Sequence, residues 1–295
     1  MVKHYTSFLL LAAATILMAS CEKLDVAGMF FYKVTDVRFR VDSSLAYNDR
    51  HGYPIVSTPK DDYHFYVCAD IHAEAYPVRF AEMVRCENAD ALSYFYLVLG
   101  DLVWTQENLS HFPEIMPLEP GTHDGDDPGF VIVGNHDLFY NNWNTWRNMF
   151  HTSTYYITVN TPNYQDLIIM LDSGSGTLGD NQMKWLKSIL KDMRPNYRHC
   201  IICMHHNIFR TDHSQLPSSN LPLEETYALM RLFSDNNVEF VLAGHDHYRS
   251  IVDFEDVLYV TLDDLKDNTS HASYMIIEVS TTLGYKFVGM GDYKE

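Results

Sequence analysis

Six times along this chain a short apolar run stops abruptly at a polar side chain able to do chemistry. The runs are His64-Phe-Tyr-Val-Cys-Ala-Asp70, Phe95-Tyr-Leu-Val-Leu-Gly-Asp101, Phe130-Val-Ile-Val-Gly-Asn135, Leu167-Ile-Ile-Met-Leu-Asp172, Cys200-Ile-Ile-Cys-Met-His205 and Phe240-Val-Leu-Ala-Gly-His245. Runs of this length read as buried strands, each delivering its last residue to a loop. Between them, residues 76–91, 180–193 and 223–236 carry apolar side chains at helical spacing; Met183, Leu186, Leu190 and Met193 lead up to Pro195. Strands alternating with helices predict a layered α/β fold, in which ligands sit beyond the carboxyl ends of the strands. The polar strand ends are therefore expected on one rim.

The flanks read differently. After His247 no helix is evident, and Arg249-Ser-Ile-Val-Asp-Phe254 with residues 257–262, 274–279 and 286–288 predicts a meander closing a second sheet. Before Tyr63, the alternation Val37-Arg-Phe-Arg-Val41 suggests one or two added strands. With 46% hydrophobic residues in 295, the chain can bury one large core, assigned to a single catalytic domain over 61–295.

Lys3 and His4, the apolar stretch from Phe8 to Met18, and the small residues Ala19 and Ser20 form an export signal over 1–20. The apolar stretch is too short for a comfortable membrane span, which needs roughly 20 residues. Met18-Ala-Ser-Cys21 resembles a bacterial lipobox. That resemblance implies lipidation of Cys21, a tether over 21–60, and an exported lipoprotein anchored to a membrane at the periplasm or cell surface. Cys200 and Cys203 are spaced CxxC inside an apolar run, and on a strand residues three apart face opposite sides, so they read as small buried hydrophobes and not as a metal or redox pair.

Lys and Arg total 21 against 39 Asp and Glu, a formal charge of 21 − 39 = −18. Such a surface repels nucleic-acid backbones, which excludes a nonspecific DNA or RNA binder. It leaves a small phosphorylated substrate open, because bound divalent cations dominate the potential at their own site. No protein partner is predicted.

Asp70-Ile-His72, Gly100-Asp101, Gly134-Asn-His-Asp137, His205-His206 and Gly244-His-Asp-His247 follow one another in that order, each at a predicted strand end. In this the sequence resembles the calcineurin-like metallophosphoesterases, whose signature is DxH, GD, GNH(D/E), H and GHxH. Leu171-Asp-Ser173 followed by Gln182 and Trp185 resembles the branch that holds purple acid phosphatases and cyclic-nucleotide phosphodiesterases. The resemblance implies two packed mixed β-sheets flanked by helices, a four-layer α/β sandwich. It also implies hydrolysis of phosphomonoesters or phosphodiesters at a dinuclear metal centre, with a metal-bound hydroxide as nucleophile. By similarity, Asp101 bridges the ions, Asp70, His72 and His247 complete one, and Asn135, His205 and His245 complete the other. Two close divalent ions repel each other, so a shared carboxylate between them and neutral imidazoles around them suit the charge. Such mixed ligands fit Mn, Zn and Fe alike. His136 resembles the family's catalytic histidine, although Trp104 stands where some relatives place the aspartate that orients it.

Of the pair His205 and His206, alternation lets one face the ions; the family pattern places the ligand first and leaves His206 to line the pocket. The segments 104–128 and 207–222 leave ligand-bearing strand ends and should overhang them, with Arg210 placed to meet a substrate anion. His51, His64, His111, His151, His199 and His271 read as structural, while 123–127 and the acids Asp263, Asp264 and Asp267 read as solvated acidic turns. Two rivals follow from the same residues: a metal-containing binding lipoprotein without turnover, and a hydrolase with one zinc ion.

Overall fold

The computed structural model describes residues 36–103, 109, 112, 115, 128–212 and 215–291. The export signal, Cys21, Trp104, His111, residues 123–127 and His213 lie outside the described residues.

The parallel strands β2 (Tyr63–Cys68), β3 (Ser93–Val98) and β4 (Gly129–Val131) form one half of the frame. A second set, β6 (Gln165–Leu171), β7 (Cys200–Met204) and β8 (Phe240–Ala243), is likewise parallel. β5 (Tyr155–Asn160) runs antiparallel to β6 and pairs in parallel with the short β1 (Ile55–Ser57). The segment after His247 divides between the two sheets and does not close one alone. β9 (Ser250–Phe254) and β10 (Val257–Thr261) form a hairpin beside β8, and β11 (Ser273–Val279) and β12 (Leu283–Gly289) form another beside β2. The result is a seven-stranded sheet, β1-β5-β6-β7-β8-β10-β9, facing a five-stranded one, β12-β11-β2-β3-β4. The expected pair of mixed sheets is present.

Alternation decides the layers. Phe65, Val67, Phe95 and Leu97 meet Ile157, Ile168, Met170 and Leu242 between the sheets, while Tyr66, Cys68, Tyr96 and Val98 face outward under helices. Cys203 points into that central layer and Cys200 into the opposite one, both as buried free thiols. Helix α2 (Val78–Asn88) and α3 (Trp143–Phe150) cover the smaller sheet; α4 (Gly179–Asp192) and α5 (Leu223–Asp235) cover the larger. This makes four layers. No helix among the described residues is long and apolar enough to cross a membrane.

One expectation fails in the N-terminal segment. Val37-Arg-Phe-Arg-Val41 opens helix α1 (Val37–His51) and is not a strand; the one added strand is β1. Val37 and Val41 are four apart, a spacing that satisfies both the period of a strand and that of a helix. Asp36 decides it by accepting the Arg38 N–H at 2.7 Å, and burial then recurs at Val37, Arg40, Val41, Ser44 and Asn48, one face of a helix. That face carries a fully buried ion pair. Arg40 Nε and Nη2 each donate to Asp172 at 2.8 Å, and Ser153 Oγ donates to Asp172 at 2.7 Å.

Candidate metal centre

The carboxyl ends of β2, β3, β4, β7 and β8 meet at one rim, and there the backbone leaves the strands in an uncommon way. Asp70, His72, Asp101, His245 and His247 all have positive φ, between 45° and 74°. Such conformations cost about 1–3 kcal/mol each away from glycine, so the surroundings must impose them. Hydrogen bonds do so. His72 N–H donates to the Asp101 carbonyl at 3.0 Å and Ala73 N–H to that of Leu102 at 2.9 Å, carrying the β2–β3 pairing past the strand ends. Asp137, fully buried, accepts the N–H groups of Asp101, Leu102 and Gly134 at 2.8–2.9 Å and so clamps the turn after β3 to the turn after β4. Its carboxylate is therefore committed to backbone. Gly100, at φ +88°, leaves no room for a side chain, since a Cβ there would stand 2.7 Å from Gly134 N and 2.8 Å from His205 Nδ1.

The side chains then gather in two groups that share one carboxylate. In the first, His247 Nε2 lies 3.0 Å from His72 Nε2 and 3.5 Å from Asp70 Oδ1. In the second, Asn135 Oδ1 lies 3.0 Å from both His205 Nε2 and His245 Nδ1. Asp101 Oδ2 stands between them, 3.6 Å from His72 Nε2 and 3.3 Å from His205 Nε2. Asp70-His72-His247 and Asp101-His205-His245 each bring one ligand atom per residue close enough to hold an ion. His136 forms a further such group with His72 and Asp101; its N–H donates to Asp101 Oδ1 at 2.8 Å and its ring meets His72 edge-on.

The donor set fits a divalent cation. Asp70 Oδ1 is buried with no hydrogen-bond partner, an orphaned acceptor that a cation satisfies. His205 Nδ1 donates to the Leu99 carbonyl at 2.8 Å, which makes Nε2 the nitrogen that faces Asn135 and Asp101, where a cation would replace its proton. Burial pushes the Asp70 carboxyl up to about 8, and burial likewise holds His72 down to about 2 and His245 down to about 4, so both rings are neutral ligands at pH 7. His205 is the exception. Burial opposes its charge, but Asp101 and Asp70 outweigh it and hold the ring up at about 10, the direction expected of a pocket whose carboxylates favour positive charge.

The other predicted site residues are placed unequally. His206 is buried, its ring against His245 at 4.1 Å, and its N–H shares Ser173 Oγ with that of His205 at 3.0 Å. Arg210 is exposed and paired with Asp212 at 2.8 Å. It lines a hollow of 370 Å³ with Asp246, whose carboxylate is held by Asn207 and Asn220 between the two ligands His245 and His247. Arg210 thus flanks the centre and touches none of its ligand atoms.

Asp263 and Asp264 are buried and are not solvated turns, whereas Asp267 is exposed in a turn as expected. Asp263 accepts the Arg249 N–H and Ser273 Oγ–H at 2.8 and 2.7 Å; Asp267 accepts the Val78 and Arg79 N–H groups and caps α2. Asp264 is buried with Oδ2 3.9 Å from His247 Nδ1, and Lys266 Nζ is 3.0 Å from the same nitrogen. These two neighbours of a predicted ligand were missed because acid pairs are usually exposed and their partners lie far away in sequence. His199 and His64 are structural as expected, bonded to Glu239 and Asp90.

Known proteins share this fold. GAP50, the anchor in the inner membrane complex of Plasmodium, is 14% identical, with 78% of this chain and 85% of that one covered and a TM-score of 0.58. A dimetal phosphatase from Danio rerio is 11% identical over 77% of this chain and 98% of its own, at a TM-score of 0.54. The purple acid phosphatase PPD1 from yellow lupin is 11% identical over 79% of this chain and 52% of its own, at 0.56. These likenesses are of fold. No curated protein matches. The family model for calcineurin-like phosphoesterases matches residues 63–249, the span that carries every strand-end motif, and the chain belongs to that family of metal-dependent phosphoester hydrolases.

Proposed function

We propose that this protein hydrolyses small phosphomonoesters or phosphodiesters at a centre of two metal ions. The supporting observation is the position of Asp101 Oδ2, within 3.6 Å of a ligand nitrogen in each group. Asp70, His72 and His247 would hold one ion, Asn135, His205 and His245 the other, with Mn, Zn or Fe as the candidates. When bound, the ions lower the pKa of water and absorb the negative charge that builds on the phosphoryl group. Asp101 offsets their mutual repulsion. His136, held by its N–H to Asp101 and kept below the ordinary imidazole range by burial, is neutral at pH 7 and donates to the phosphoryl or leaving oxygen. His206 supports His245 from behind, and Arg210 is the flanking cation for a substrate anion beyond the scissile group. The −18 charge supports a small substrate over nucleic acid. Residues 1–21 support export and anchoring of the chain to a membrane through Cys21.

The test is to load the full chain with Mn, Zn or Fe, count ions by native mass spectrometry, and assay 4-nitrophenyl phosphate and bis(4-nitrophenyl) phosphate. Two ions and turnover on either ester are expected. Two ions with no turnover under any metal would favour the binding-lipoprotein reading, and one ion would favour the mononuclear hydrolase.

A further inference from the structure

The segment after β10 crosses from the larger sheet to the smaller and is pinned beside the first group, where Leu265 N–H donates to the Ala69 carbonyl at 3.1 Å. It brings Lys266 Nζ to 3.0 Å from His247 Nδ1 and 3.8 Å from Asp264 Oδ2. A neutral imidazole carries a single N–H. His247 presents Nε2 to Asp70 and His72, so when that nitrogen ligates an ion, the hydrogen sits on Nδ1 and needs an acceptor. An ammonium group has three donors and no acceptor. Lys266 therefore matches only the unligated ring, whereas the Asp264 carboxylate, 3.9 Å from the same nitrogen, matches the ligated one. Asp264 is well placed for this: it is buried and accepts Thr269 Oγ–H at 2.7 Å. The Lys266 side chain, 16% exposed, has solvent on one side. Its ammonium lies 3.0 Å from His247, whose side chain is 26% exposed, so it stands at the solvent-facing side of the first group.

Building on the two-ion reading, we propose that Asp264 is the positioning residue for His247, and that Lys266, released from His247 when the first ion binds, contacts the phosphoryl oxygens of the substrate. The two neighbours of one ring nitrogen thus have opposite effects on metal binding, because Lys266 stabilises the tautomer that cannot ligate.

Calorimetric titration of the full chain with Mn²⁺, and of the loaded protein with inorganic phosphate, separates these roles. Lys266→Met should weaken phosphate binding about tenfold or more, the size of a lost charge-assisted hydrogen bond, with Lys266→Arg restoring most of it. Affinity for the first ion should be higher in Lys266→Met, and about 10- to 100-fold lower in Asp264→Asn. Lys266→Gln repeats the measurement if the methionine variant folds poorly. Phosphate affinity within twofold of wild type in both neutral variants, or a loss of metal affinity in them equal to that in Asp264→Asn, overturns the proposal. A wild-type chain that binds no ion removes both this proposal and the function it rests on. Two bound ions with an unresponsive Lys266 overturn this one alone.

Discussion

The two halves of the candidate metal centre orient their predicted ligands by different means. Around His205 the orienting groups are fixed: a main-chain carbonyl takes Nδ1–H, Ser173 Oγ takes the backbone N–H, and the side chain is fully buried. Around His247 they are side chains, Lys266 and Asp264, and the ring itself is 26% exposed. A ligand aimed by buried backbone is already in its binding geometry, while one aimed by side chains must reorganise first. The buried half, that of His205, should therefore hold its ion more tightly, and the open half, that of His247, should exchange although its Asp70 and His72 are themselves buried. Solvent reaches the His247 side of the cluster, and the proposed substrate would enter there.

The largest effect tests what the halves share. Asp101→Asn removes the one carboxylate common to both, so both ions should weaken together and kcat/KM should fall by about 10³-fold or more. Retention of a normal ion in either half would show that Asp101 belongs to one group alone. Next, single-ligand removal should separate the halves. His205→Ala should lose the tight ion and all turnover and leave only a loosely held ion that does not survive native mass spectrometry, whereas His247→Ala should keep one ion per chain in the same measurement. Equal ion counts in the two variants would erase the distinction.

A third variant acts on the buried half from a distance. Arg40 and Asp172 are both fully buried, and Asp172 precedes Ser173, which anchors the backbone of His205 and His206. Arg40→Ala leaves that carboxylate uncompensated and should cost about 3–5 kcal/mol in urea unfolding. Metal loss on titration with a chelator should then begin in the buried half, reversing the wild-type order.

These halves were not equally readable from sequence. Asp70, His72, Asp101, Asn135, His245 and His247 announce themselves because a buried strand is short and apolar, so the first polar residue after it marks the rim, and the structure brings their ligand atoms together. His205 needed a choice between neighbours, and the Leu99 carbonyl is what aims it. Asp264 and Lys266 carry no local signal, since their meaning depends on β10 and β11 entering different sheets, and periodicity does not report sheet membership. A related limit applies to helix α1: the partner that its buried Arg40 meets, Asp172, lies more than a hundred residues away.

The smallest effect is a pH dependence of stability in the metal-free protein, and its sign follows from groups in both halves. Asp70, in the open half, is raised by burial to about 8 from an ordinary value of 3.8, so its contribution is complete below about 3.8 and is lost as pH rises through 8. His205, in the buried half, is raised to about 10 from 6.5, so its contribution is complete below about 6.5 and declines above it. His72 and His245 are lowered and act the other way, but their change ends near 6.5, the ordinary value. Between pH 6.5 and 8 only the falling contributions remain. Metal-free protein should thus lose roughly 5 °C in Tm across that window. Ions take over the role of those protons, so loaded protein should lose less, and the gap in Tm between the two forms should widen with pH in scanning calorimetry. In Asp70→Asn the falling contribution of Asp70 is gone and His205 loses one of the two carboxylates that hold it up, so the slope should become shallower, set by His205 and by Asp137, which burial pushes up to about 7. A gap that narrows as pH rises would mean that the pocket does not favour cations in the way its carboxylates imply.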